Sequence, residues 1–220
     1  MFGLDDQIAS LSTGATFLVV CVVAVALGLR HATDPDHLTA VTTLVASGDN
    51  HAARRLGFSW GLGHATTLVA FGVPIVLSAS YLPASVQTAA EAAVGVLIIG
   101  LAVRLLVRWR RGQLGAPGTG RSRGQAYGIG LVHGMGGSAG VGLLLLAHIH
   151  SHAEALTALA LFAAFTAVSM ALASASFGFV MGRDAVAARF VAIAPVLGAV
   201  SLAFGAWYAL GALDAVPYVL

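Results

Sequence analysis

The chain has 220 residues, 58% hydrophobic and 9% charged, where a soluble domain averages about 45 to 50% apolar and about 25% charged. At a mean hydropathy of +0.90, a soluble fold of this length has no core large enough to hide its apolar surface, which excludes an ordinary cytosolic enzyme. The net charge of +2 rests on eleven basic residues, all Arg, that fall in clusters between apolar runs and not along a soluble stripe, so the expected partner is the lipid bilayer and not nucleic acid.

Along the chain, the apolar segment from Ala15 to Leu29 follows Asp5 and Asp6 where a signal peptide carries positive charge, so it reads as a retained span. About 20 apolar residues cross the hydrocarbon core. Such runs lie at roughly 14 to 46, 58 to 80, 86 to 107, 126 to 148, 154 to 181 and 187 to 212. The first is too long for one straight crossing, and the polar heptapeptide HATDPDH divides it. The reading is an all-α integral membrane protein of about six transmembrane helices, the first interrupted near Pro35.

Lys and Arg accumulate in cytoplasmic loops. Arg54 and Arg55, the cluster from Arg104 to Arg123, and Arg183 with Arg189 all fall in loops on one side, which places both termini outside the cytoplasm of a multi-pass cell (inner) membrane protein. The Gly- and Ser-containing stretch at about 109–125 reads as a cytoplasmic linker. It divides a single membrane domain, residues 1–220, into repeat one (about 10–110) and repeat two (about 126–220), two inverted three-helix repeats of the secondary-transporter type. The tetrapeptide GLxH echoes across them at Gly28–His31, Gly61–His64 and Gly130–His133. Glycines three residues apart, such as Gly57 and Gly61 or Gly124 and Gly128, suit close helix packing. The single Cys21 excludes disulfide frameworks and thiolate clusters.

Ionisable groups inside spans mark pathways or sites. His31, Asp34, Asp36 and His37 offer two imidazoles and two carboxylates in seven residues, a ligand set for nickel, cobalt, zinc or manganese. On an unbroken helix Asp36 and His37 would point about 140° and 240° away from His31. Pro35 removes an N–H and disfavours helical geometry at Asp34, so the helix should open there and free the His31 carbonyl. His64 and His133 lie at similar depth in spans two and four and are candidates for the same site, with Thr66, Thr67 and Ser138 as possible hydrogen-bonding supports. The bland reading is a polar helix end at the interface with Arg30 paired to Asp34 or Asp36. His148, His150 and His152 form a His-rich tract that suits either a cation-capture site or a solvated loop. Glu91 and Glu154 lie near outer span ends, within reach of water. Trp60, Trp109, Trp207, Tyr81 and Tyr208 read as interfacial anchors.

The octapeptide Arg30-His31-Ala32-Thr33-Asp34-Pro35-Asp36-His37 resembles the RHAxDADH signature, with its H-x4-D-H core, of the nickel/cobalt transporter family. Phe58 to Thr67, FSWGLGHATT, is similar to that family's second signature, in which a GH pair precedes a small residue and Thr. The resemblance covers about residues 28 to 70. It implies a nickel or cobalt permease in which His31, Asp36 and His37, with Asp34 and His64, belong to the metal pathway. The Asp-Asn pair usual after the first motif is absent near Thr42-Thr43, and later Asp-containing signatures are missing. Span four, GLVHGMGGSAG, is similar instead to short urease-accessory-type members of the wider superfamily.

The leading expectation is a transporter of Ni2+ or Co2+, not an enzyme and without a prosthetic group, that works by alternating access. Its metal ligands would come from His31, Asp34, Asp36, His37, His64 and His133. Two alternatives stay open. One is a membrane-embedded His/Asp enzyme, acyltransferase-like or metal-dependent, although no second acyltransferase block and no HExxH occur. The other is an exporter of an anion or organic solute, which leaves the carboxylates at Asp34 and Asp36 unexplained.

Overall fold

The computed structural model describes residues 17–44, 50–78, 83–114, 121–136, 149 and 151–217. The described secondary structure is entirely helical: α1 (Phe17–His31), α2 (Pro35–Leu44), α3 (Asn50–Ser78), α4 (Ala84–Arg110), α5 (Arg123–His133), α6 (His152–Met181) and α7 (Asp184–Ala212). Four stretches, Ala53–Ser78, Ala84–Arg110, His152–Met181 and Ala185–Ala212, are long and apolar enough to cross a membrane, and α1 with α2 make a fifth if the bent pair is one crossing. The chain is a multi-pass helical membrane protein. The fourth expected span, 126 to 148, is described only to Gly136: α5 ends at His133 in a turn, and positions 137–148 lie outside the described residues, as do Ser138, His148, His150 and Tyr81.

The first span breaks where its sequence directs. α1 ends at His31, a tight turn follows in which Thr33 N–H donates to the Arg30 carbonyl at 2.8 Å, and α2 starts at Pro35 with its axis turned by 45°. Pro35 is the first helical residue of α2, where its missing N–H would have had no helical partner anyway. Asp34 is the N-cap, its carbonyl accepting from Leu38 N–H at 3.0 Å. One expectation is corrected here. The His31 carbonyl is not freed, because the turn closes on it: Asp34 N–H donates to it at 3.2 Å.

α1 buries Val20, Val23, Ala24, Leu27, Gly28 and His31, a single face at intervals of three and four. That face packs on α6; α6 packs on α3, α3 on α5, and α4 on α7. The outward face is apolar too, with Leu18, Val22, Val96, Val196 and Val200 all about 60% exposed or more, as suits a bundle whose solvent is lipid. Within the bundle, hydrogen bonds tie neighbours together: Ser169 Oγ donates to the Gly28 carbonyl at 2.9 Å, Thr67 Oγ1 to the Leu131 carbonyl at 2.8 Å, and Trp109 Nε1 to the Val191 carbonyl at 3.0 Å.

The three GLxH tetrapeptides do the same job on three helices. Gly28 lies against the Phe162 carbonyl of α6, Gly61 against the Ala167 backbone of α6, and Gly130 against Trp60 and His64 of α3, all closer than a Cβ would permit. The histidine three residues on shares the glycine's helix face. Each tetrapeptide therefore brings two backbones together and delivers an imidazole beside the crossing. The pair Gly124 and Gly128 is different, since a Cβ at Gly128 would meet nothing within 4 Å and that position makes no close crossing.

Candidate metal centre

Where α1 and α2 meet beside α3 and α5, six ionisable side chains are almost wholly withdrawn from solvent: His37 and His64 are 0% exposed, His133 1%, Asp34 and Asp36 3% and His31 4%. The break puts His31 on the last residue of α1 and Asp36 and His37 in the first turn of α2, so residues scattered around an ideal helix face one point. α3 adds His64 and α5 adds His133. All six residues singled out in the sequence are thus brought together.

The contacts are close. His31 Nε2 and His64 Nε2 stand 2.9 Å apart. Asp36 lies between two histidines, with Oδ1 at 3.0 Å from His37 Nδ1 and Oδ2 at 3.0 Å from His133 Nε2. The His37 and His133 rings stack, with centroids 4.4 Å apart. Asp34 Oδ2 sits 3.2 Å from His31 Nδ1, while Arg30 approaches Oδ1 of the same carboxylate at 3.6 Å. The Arg30 ion pair of the bland reading therefore exists, but at the rim of a buried cluster and not in its place.

These partners set the tautomers. A neutral imidazole carries one N–H and one lone pair. With Nδ1–H given to Asp34, His31 keeps its Nε2 lone pair for the centre, and with Nδ1–H given to Asp36, His37 does likewise. His37 Nε2, His64 Nδ1 and His133 Nδ1 are buried without a hydrogen-bond partner. These ring nitrogens are free to accept from water or to ligate an ion. Two sets of three residues have ligand atoms mutually within 4.8 Å: His31, His37 and His64; and Asp36, His37 and His133. Asp34 belongs to neither and stands behind His31.

Trp60 is a residue the sequence reading misplaced. Read as an interfacial anchor, it is instead 1% exposed, with its ring centroid 5.7 Å from that of His37 and 5.6 Å from that of His133. Its position four residues before His64, on the same helix face, was the available signal. Phe162 closes the other side, 5.6 Å from His31. Tyr208 is likewise buried and Trp109 remains at a helix end. Glu91 is buried too, accepting from Gln87 Nε2 at 3.1 Å and not reaching out to water. Thr66 and Thr67 donate their hydroxyls to backbone carbonyls and not to an imidazole. His152, the described member of the His-rich tract, is the exposed first residue of α6.

Fold and site together define a helical membrane protein with a histidine–carboxylate cluster buried inside its bundle. Residues 17–110 carry the sequence pattern of the high-affinity nickel-transport protein family (NicO), so the likeness read at Arg30–His37 and Phe58–Thr67 extends across α1 to α4. The chain is similar to the urease accessory protein UreH of Bacillus sp. (strain TB-90), 28% identical over 95 residues, covering 43% of this chain and 42% of the relative. It is also similar to the nickel transporter NicT of Mycobacterium tuberculosis (strain ATCC 25618 / H37Rv), 41% identical over 70 residues, covering 31% of this chain and 18% of the relative. The matches thus span less than half the length of these relatives. No solved structure matches.

Proposed function

We propose that the protein transports divalent transition-metal ions, nickel or cobalt, across the cell membrane by alternating access. The observation that carries this reading is the convergence of four buried imidazoles and two carboxylates inside an apolar bundle, with His37 Nε2 left without a partner. A carboxylate within a span costs up to about 3 kcal/mol, a sizeable share of a whole domain's stability of about 5–15 kcal/mol. A bundle keeps such groups for what they bind. Imidazole and carboxylate suit Ni2+ and Co2+, and the nickel-transport likeness over residues 17–110 supports that choice of cargo.

In this mechanism His31, His37 and His64 ligate the ion, Asp36 and His133 extend the ligand set, and Asp34 holds His31 in the tautomer that offers Nε2. The positive charge is balanced by Asp34 and Asp36. The same carboxylates argue against an exported anion, and the sequence carries no second acyltransferase block and no HExxH that would favour an enzyme. The arrangement is six spans in two inverted repeats about a cytoplasmic linker at 109–125, with both termini outside, in the inner membrane of the cell.

The test is cellular nickel and cobalt content, measured by mass spectrometry in cells expressing the wild type, His37→Ala or no transporter. A wild-type content that differs from the empty control, with His37→Ala matching that control, is the expected result. Indistinguishable contents in all three would overturn the reading.

A further inference from the structure

His37 belongs to both three-residue sets, and the sets differ in composition and in where they come from. The first is all imidazole, from α1, α2 and α3, and lies wholly within the first half of the chain. The second pairs a carboxylate with two imidazoles and requires His133 of α5, which lies beyond the Arg-rich linker and beyond the segment with nickel-transport likeness. The Nδ1 edge of the His37 ring faces Asp36 at 3.0 Å, while Nε2, on the other edge, has no hydrogen-bond partner.

We propose that His37 is a shared ligand through which a single transition-metal ion passes between two alternative stations, an all-nitrogen station of His31, His37 and His64 and a carboxylate-bearing station of Asp36, His37 and His133. This deepens the transport reading and rests on it. One pair in each station has the spacing an ion needs: atoms about 2.0–2.1 Å from one ion, at 90° to 110°, stand about 2.8–3.4 Å apart. His31 Nε2 and His64 Nε2 are 2.9 Å apart, and Asp36 Oδ2 and His133 Nε2 are 3.0 Å apart.

The stations exclude one another. A neutral imidazole has one lone pair, so His37 ligates on one edge at a time, and passage from the first station to the second needs its tautomer to change. The Nδ1 proton leaves by way of Asp36 Oδ1, 3.0 Å away, to solvent, and Nε2 takes one proton from solvent as the ion leaves it, with no net change in protons. Filling both would need an imidazolate and two dications across one ring, in an interior where their repulsion is several times stronger than in water. The transfer keeps the cation beside a carboxylate throughout, Asp34 behind the first station and Asp36 within the second. It also changes what the ion holds together. At the first station the ion joins helices of one half only; at the second it ties α2 to α5 and so joins the two halves. Station occupancy therefore biases the relative position of the halves, which is the movement alternating access requires.

The experiment uses the full chain in lipid nanodiscs, titrated with Co2+ and followed by calorimetry and by visible absorption, which reports the ligand set. Wild type, His64→Ala, His133→Ala and His37→Ala are compared, with His64→Gln and His133→Gln as gentler versions and size-exclusion profiles to verify folding. Wild type is expected to take up one Co2+ per chain. Each of the His64 and His133 variants should still bind one ion, with spectra that differ from each other, while transport falls about tenfold or more. His37→Ala should lose both stations.

Two ions per wild-type chain, superimposable spectra for the His64 and His133 variants, or wild-type transport in His133→Gln would each overturn the two-station proposal while leaving transport standing. A wild type that binds no Co2+ and does not alter cellular metal would instead overturn the transport reading itself.

Discussion

Asp34 and Asp36 are the same residue type two positions apart, yet their surroundings assign them different work. Asp36 bridges His37 and His133, within the ligand set proposed above, whereas Asp34 faces the rear nitrogen of His31. Asp34→Asn is accordingly expected to weaken Co2+ binding about 10- to 100-fold, the range seen when the group behind a ligating histidine is lost, without removing a ligand from the visible spectrum. Calorimetry with unchanged affinity would remove Asp34 from this role. Outside the spans, burial first, and then the neighbouring Arg104 and Arg108, push Arg121 down to about 10, well below the usual guanidinium range. A lowered basic pKa means that the folded state disfavours the charge. That penalty is fully present below about pH 10 and is relieved as pH rises above it toward the usual guanidinium range. Arg121→Gln should therefore raise the thermal midpoint at pH 7.5, with the gain shrinking above pH 10. A midpoint equal to or below that of the wild type at pH 7.5 would contradict this.

At the scale of elements, the helix crossings and the site depend on the same short segments. Gly28, Gly61 and Gly130 allow backbones to approach, and His31, His64 and His133 follow three residues later on the same faces. Gly28→Val would drive a branched side chain into the Phe162 carbonyl and the Thr166 backbone, an overpacking expected to cost about 1–3 kcal/mol. It should also displace His31 and lower Co2+ affinity. Gly128→Ala, on α5 but with open space around it, serves as the contrast. Thermal unfolding in detergent should separate the two, and equal loss in both would show that the crossing is not the cause. The interruption at Pro35 was legible because the proline's effect on its neighbours is local. The fate of the His31 carbonyl was not, because it depends on how the turn closes.

At the scale of the whole molecule, the outward apolar surface and the inward polar cluster define opposite solvents for one bundle. The proposed function makes Ni2+ a ligand of the folded state, so added Ni2+ should raise the thermal midpoint, by an amount equivalent to about 2.7 kcal/mol at a hundredfold excess over Kd. A chelator should return it to its starting value, and His37→Ala should abolish the response. The proposed orientation is tested in a Cys21→Ser background with single cysteines at Gln113 and Ala215. A membrane-impermeant maleimide should label Ala215→Cys in intact cells and Gln113→Cys only in inverted vesicles. The reverse pattern would invert the topology without touching the site.

The sequence by itself determined the solvent of this protein, most of its spans and the identity of the polar side chains, because hydropathy, the length needed to cross a bilayer and the effect of proline on its neighbours are local properties. It also singled out His64 and His133 as candidates beside the HATDPDH segment. Only the tertiary structure decided that α3 and α5 carry those imidazoles to the break between α1 and α2, that Trp60 lies against them, that Glu91 is buried, and that Asp34 stands behind His31. Those outcomes depend on how helices far apart in the chain rotate and approach, through glycine crossings and hydrogen bonds such as that from Ser169 to Gly28, and no local property of the chain carries that information.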